Sequence, residues 1–219
     1  MPTAKKSSNI NKSLELETDE EVSEVLDLLE TENEEKLPLK QGKLTNHRAY
    51  LAGPIDHADD DGVIWRQKIT PLLESLGVMV LDPTNKPVSQ CKFNEIGDEK
   101  DMIKKLVELE RWDELRNIAK EIVLVDLRMV EVADFLIAYV DPDIHICGTY
   151  DEIFEALRHR KPTLIVHKGG KARMSMWLRG KLNHNFVFES FNELYAYLEA
   201  LHDGTIDPDY TRWVFFDRV

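Results

Sequence analysis

The residues of this chain best suited to chemistry are carboxylates, and they gather around one stretch. "CGTYDEIFEALRHRKP", residues 147–162, sets Asp151 and Glu152 near the start of a helical pattern, directly after an apolar strand pattern. Asp126, Asp134, Asp141 and Asp143 lie in the preceding segment. Carboxylates in such number suit general acid–base work or the trapping of a cationic centre, and not the binding of anions. Other chemistries find less support. His145 and Cys147 stand two apart with no second His or Cys pair at a ligand spacing, so neither a zinc site nor any other metal is expected. A Cys147 nucleophile would need a facing histidine, which a neighbour on the same extended segment does not ensure. "HKGGKAR", residues 167–173, is a basic glycine pair that reads as a surface turn; no phosphate-binding glycine signature occurs, and no cofactor is expected. On its own, an acid at the first turn of a helix is simply favoured by the dipole, and that plain reading applies to Asp151.

The elements that must position these residues follow from alternation. "AYLAG" is a short apolar run closed by Gly53-Pro54, and "VMVLDP", "DFLIAYV", "PTLIVH" and "NFVF" repeat the type. Helical patterns separate them: "DGVIWRQKITPLLESLG", with Pro71 expected to kink it, the charged run from Asp98 that is expected to break in two, the 147–158 stretch, "ARMSMWLRGKL", and "SFNELYAYLEALH" with Ser190 as N-cap and Glu193 three residues on. His159, Arg160 and Lys161 close the 147–158 helix with positive charge. Short apolar strands alternating with helices imply an α/β fold: a doubly wound, flavodoxin- or Rossmann-like parallel sheet of five strands in the order 2-1-3-4-5. Ligands of such sheets bind beyond the C-terminal strand ends, near the switch point between the first and third strands. That rule selects "GPIDHADDDG", "DPDIHICGTYDE" and "HKGGKARMS".

Composition narrows the partners. The 219 residues carry a formal net charge of −13, which repels phosphate backbones, so no nucleic acid is expected. Residues 1–45 form an acidic extension, disordered or a short helix over Val22, Val25, Leu26 and Leu29, and residues 46–219 form the domain. Two cysteines and no long apolar segment lead us to expect a cytoplasmic protein without a membrane span.

"YLAGP", "DLRMVEVADFLIAYVD", "GTYDEIFEA" and "KP", taken in order and at strand ends, resemble the nucleoside 2-deoxyribosyltransferase family, which includes deoxynucleoside 5′-monophosphate N-glycosidases. The resemblance spans about residues 48–190. It implies that Glu152 is the nucleophile that attacks C1′ of a 2′-deoxynucleoside and holds the sugar as an ester, which a nucleobase acceptor then takes. By the same resemblance Tyr50 holds that glutamate, Asp126 binds substrate and assists protonation of the base, and Asp134 has a structural, capping role. Gly53, Pro54 and Gly148 are expected to line the substrate site. Asn185 and the terminal carboxylate of Val219 are expected to reach a neighbouring subunit's site, which implies a homo-oligomer. The aromatic tail "RWVFF" is expected to pack at that interface. Ile146 departs from the family, which has an aspartate or a serine six residues before the nucleophile; His145 or Asp143 would have to contact the base instead. The acidic loop after the first strand lacks the arginine and serine used for a 5′-phosphate, which favours a nucleoside. Residues 84–120 are longer than in compact members and alter the pocket's cover. A hydrolase, and a non-catalytic module that binds a nucleotide-like metabolite, are the alternatives.

Overall fold

The computed structural model describes residues 39–86, 93 and 95–216. The helix expected over Val22–Leu29 and the terminal Val219 lie outside the described residues. Five parallel strands, β1 (Arg48–Ala52), β2 (Met79–Leu81), β3 (Phe135–Val140), β4 (Thr163–His167) and β5 (Val187–Phe188), form one sheet in the order 2-1-3-4-5. The helices are α1 (Val63–Ser75), α2 (Gly97–Glu108), α3 (Trp112–Val132), α4 (Cys147–Arg158), the single turn α5 (Met176–Arg179) and α6 (Phe191–His202).

Strand alternation divides the core between the two sheet faces. Ala49 and Leu51 of β1 join Ile69 and Leu73 of α1 and Leu194 and Leu198 of α6 on one side. Tyr50 and Ala52 turn to the other, with Met129 and Val130 of α3 and Ile153 and Ala156 of α4. A tyrosine at position 50 therefore has to face the layer that carries Asp126 and Glu152. Each interior position of β3 is fully buried apart from Tyr139, as expected for a strand covered on both faces.

Pro71 lies inside α1, which continues through it from Val63 to Ser75; the Thr70 hydroxyl donates to the Arg66 carbonyl one turn back (2.8 Å). Other local expectations are revised. The charged run does divide, and Glu110 at φ 54° marks the break between α2 and α3. "ARMSMWLRGKL" is mostly not α-helical: a 3-10 turn at Lys171–Arg173 precedes the four residues of α5. Lys161 does not serve its own helix, because its ammonium donates to the Glu131 (2.8 Å) and Ala133 carbonyls at the end of α3. Asp134 caps no helix. It accepts from the Arg48 backbone N–H (2.8 Å) and from its guanidinium (3.2 Å), which ties the start of β1 to the start of β3. Ser190 accepts from Glu193 N–H (3.3 Å), while the Glu193 carboxylate accepts from the Glu189 N–H (2.9 Å), so the capping box closes one residue early.

Residues 40–45 and the aromatic tail both pack on the domain. Leu44 is fully buried, and the Lys40 and Lys43 N–H groups bond to Ser75 and His202 carbonyls (2.7 and 2.9 Å), so residues 40–45 belong to the domain. Trp213 is fully buried against Phe135 (ring centroids 5.4 Å) and donates its indole N–H to the Tyr197 hydroxyl (3.1 Å); Phe216 stacks on it. The tail's aromatic rings are thus covered by their own domain at the N-terminal end of the sheet, opposite the ligand end. Trp213→Ala should lower unfolding free energy by about 3–5 kcal/mol, measured by denaturant titration; a change under ~1 kcal/mol would mean that the tail is not part of the core.

Candidate active site

Beyond the C-terminal ends of β1 and β3, at the switch point of the sheet, lies a cavity of about 340 Å³, within the range of small-molecule sites. Tyr50, Asp126 and Glu152 converge there from β1, α3 and α4, 102 residues apart at the extremes. The Tyr50 hydroxyl donates to Glu152 Oε1 at 2.5 Å. Tyr50 is fully buried, and burial first, then the adjacent carboxylates, hold its hydroxyl well above its ordinary range, so it serves as a donor. Burial pushes the Glu152 carboxyl up to about 8; the Tyr50 hydrogen bond opposes the shift, and the Asp126 and Glu95 charges add to it. The glutamate is not a first-turn surface acid. The helix begins at Cys147 with no acid in its first turn, which puts both Asp151 and Glu152 in the second, Asp151 exposed and Glu152 half-buried.

The loop after β1 is fixed by a residue that the sequence reading passed over. Arg66 is fully buried and donates to three carbonyls, Leu51 (3.3 Å), Gly53 (3.0 Å) and Gly62 (2.7 Å), with the Asp82 carboxylate 3.5 Å away. Its position three before Ile69 and seven before Leu73 put an arginine on the apolar face of α1, a signal present in the sequence. Gly53 and Pro54 line the cavity as expected. A Cβ on Gly53 would stand 2.8 Å from the Trp65 ring, so only glycine lets the chain pass there. Gly148 also lines the cavity, and a Cβ there would meet nothing within 4 Å.

Two further charged groups come from the 84–120 segment. Lys86, which follows β2, is almost wholly buried and holds Asp126 Oδ1 at 2.7 Å. Glu95, half-buried, lines the cavity. Neither carried a sequence signal, because a lysine and a glutamate in a polar, aperiodic stretch look like solvated loop residues. Asp126 is raised by burial, with Lys86 acting against the shift.

The remaining expected residues separate. Ile146 is buried at the cavity wall and offers only apolar surface; His145 lines the cavity, whereas Asp143 is engaged by Arg173 (2.8 Å) outside it. Lys168 is held by Asp141 (2.7 Å), so the two cations named here in the basic turn after β4 are occupied by aspartates. Asn185 is exposed beside β5 and does not reach this chain's cavity. Among the described residues, no group of three or more His, Cys, Asp or Glu side chains is placed to hold a metal ion, and no helix is long and apolar enough to cross a membrane.

No protein-family model and no curated protein matches the chain. Among solved structures it is similar to a 2-deoxyribosyltransferase from the psychrotolerant bacterium Bacillus psychrosaccharolyticus, at 20% identity over 71% of this chain and 96% of that one, with a TM-score of 0.47. It is similar also to a CMP N-glycosidase of Clostridium botulinum, at 18% identity over 69% and 97% of the respective chains, with a TM-score of 0.40.

A carboxyl raised by burial binds its proton more tightly in the folded chain than in the unfolded one. The stability tied to Glu152 is therefore complete below about 4.5 and is lost as pH rises toward about 8. Glu152→Gln cannot ionise and escapes that loss. Its melting temperature should exceed that of the parent by an increment that grows from pH 5 to pH 8, to on the order of several °C. An increment independent of pH would show that Glu152 ionises normally.

Proposed function

We propose that this chain cleaves the N-glycosidic bond of 2′-deoxynucleosides through a covalent glycosyl-glutamate and passes the deoxyribose to another nucleobase. The observation that carries this reading is the 2.5 Å hydrogen bond from Tyr50 to Glu152 at a cavity that also exposes Asp126. Breaking a C1′–N bond builds positive charge on the sugar, and an adjacent carboxylate both stabilises that charge and captures it. Glu152 takes the role of nucleophile, and Tyr50 orients its oxygen. Burial suits the part: a carboxylate deprived of water regains most when a cation forms beside it. Asp126 presents a second carboxylate to the substrate. Gly53, Pro54 and Gly148 leave room for it.

The charges favour an unphosphorylated substrate. Arg66 is committed to three backbone carbonyls and Lys86 to Asp126, while Asp56, Glu95 and Asp151 line the cavity. A 5′-phosphate dianion would meet carboxylates without a released cation. Transfer to a base follows when the base-sized space refills before water reaches the ester; hydrolysis is the same first step with water as acceptor. Asn185 enters this proposal only through a second copy, as the residue that completes a neighbour's site.

Incubation with a panel of 2′-deoxynucleosides, with and without acceptor bases, should release base and form new deoxynucleosides, resolved by chromatography. Glu152→Gln should remove turnover while the fold persists, and a 2-fluoro-deoxynucleoside should leave a sugar adduct on the Glu152 peptide. Turnover by the Gln variant would exclude the covalent route. Tyr50→Phe should cost about tenfold in kcat through loss of one orienting hydrogen bond; an unchanged rate would make Tyr50 a packing residue.

A further inference from the structure

Five carboxyls line the cavity, Asp56, Glu95, Asp126, Asp151 and Glu152, and among the described residues Asp126 is the one paired with a buried lysine. Asp126, on α3, lies 2.7 Å from the Lys86 ammonium, and the lysine side chain is 1% exposed. A proton on Asp126 would leave that ammonium buried without its counter-charge, a strongly unfavourable state. Glu95 faces the same cavity from the segment between β2 and α2 and makes no hydrogen bond or ion pair with another described residue. Around it stand Asp126, Lys86, Asp56 after β1, Arg66 on α1, and Glu152 on α4. His57 and His145 line the outer part, their rings 5.7 Å apart.

Resting on the glycosidic reading above, we infer that Glu95 delivers the proton that the departing base takes up, while Asp126, tied to Lys86, remains an anion and a substrate contact. A nucleobase leaves poorly as an anion, so a proton must arrive as the C1′–N pair of electrons withdraws onto the base. The Glu152 carboxylate forms the C1′–O bond, the C1′–N bond breaks, and the Glu95 proton ends on the base nitrogen, leaving Glu95 ionised. When water or an acceptor base N–H attacks C1′, its proton returns to Glu95 and the Glu152 ester opens. Burial, then the Asp126 and Asp56 charges, raise the Glu95 carboxyl, which favours the acid form that this step requires. The step needs Glu152 ionised and Glu95 protonated at the same time.

The test uses two substrates that differ in their need for a proton: 2′-deoxyadenosine, and 7-methyl-2′-deoxyguanosine, whose base is already cationic while bonded and leaves neutral without being protonated. Parent, Glu95→Gln and Asp126→Asn chains, each checked for fold by circular dichroism, are assayed on both against buffer blanks. Glu95→Gln should lose on the order of a hundredfold or more on 2′-deoxyadenosine and far less on the methylated substrate. Asp126→Asn should lose similar factors on both. With 2′-deoxyadenosine the parent's kcat/KM should fall at high pH as Glu95 ionises, whereas with the methylated substrate it should rise through about pH 8 to a plateau as Glu152 ionises. Equal losses on both substrates by Glu95→Gln, or a selective loss confined to Asp126→Asn, would overturn the assignment. A parent chain that cleaves neither substrate would instead remove the glycosidic reading, and this inference with it.

Discussion

The hydrogen bond from Tyr50 to Glu152 is the interaction around which the ligand end of this molecule is arranged. It joins a strand to a helix more than a hundred residues later, and it forms only because β1 lies beside β3. Parallel pairing brings the end of β1 level with the end of β3, and the helix that follows β3 starts above that edge. Alternation along five residues of β1 then decides which side chain meets the helix. Tyr50 points to the α3–α4 face, and its neighbours Ala49 and Leu51 point away. A slip of one residue in register would exchange the faces and leave Glu152 without its donor.

Around that contact the protein places charges in an environment that disfavours them. Glu152 is half-buried with its carboxyl pushed up by burial, Lys86 and Arg66 are buried, and Asp126 is largely so. Each is held differently. Arg66 is satisfied by neutral carbonyls and so acts as a brace for the turn after β1, whereas Lys86 is satisfied by a carboxylate and so fixes a charge at the cavity wall. Among the described residues, Glu152 has only a phenol. That inequality keeps the ionised glutamate high in free energy, which under the proposed function a cation forming at C1′ would relieve. Stability sacrificed at such a carboxylate is typical of sites that do chemistry.

What the sequence disclosed and what it hid divide along the range of the interactions. The strands and their order follow from local apolar runs, and the topological rule for strand ends puts Glu152 at the ligand edge, whereas Tyr50 and Asp126 come only from the family resemblance. Lys86 and Glu95 were hidden because their burial is created by distant partners, on α3 and around the cavity, and nothing in their neighbours announces it. The tail is a related case. Its aromatic residues had to be covered, but composition alone does not say by what, and Trp213 finds Phe135 and Tyr197 in its own domain. Arg66 is the intermediate case, visible as a cation on an apolar helical face yet easily passed over.

Gly148 stands within the first turn of a helix, where alanine is the better former by up to ~1 kcal/mol, and a methyl group there would touch no protein atom. The fold therefore sets no steric limit on the first added carbon. A limit there comes from whatever occupies the cavity. A family of chains differing only at this codon would be a graded molecular sieve: each added carbon trims the ligand space from the helix side while the scaffold stays as firm as before or firmer. The selectivity of the cavity is in that sense separable from the stability of the fold, and could drift, or be steered, one substitution at a time.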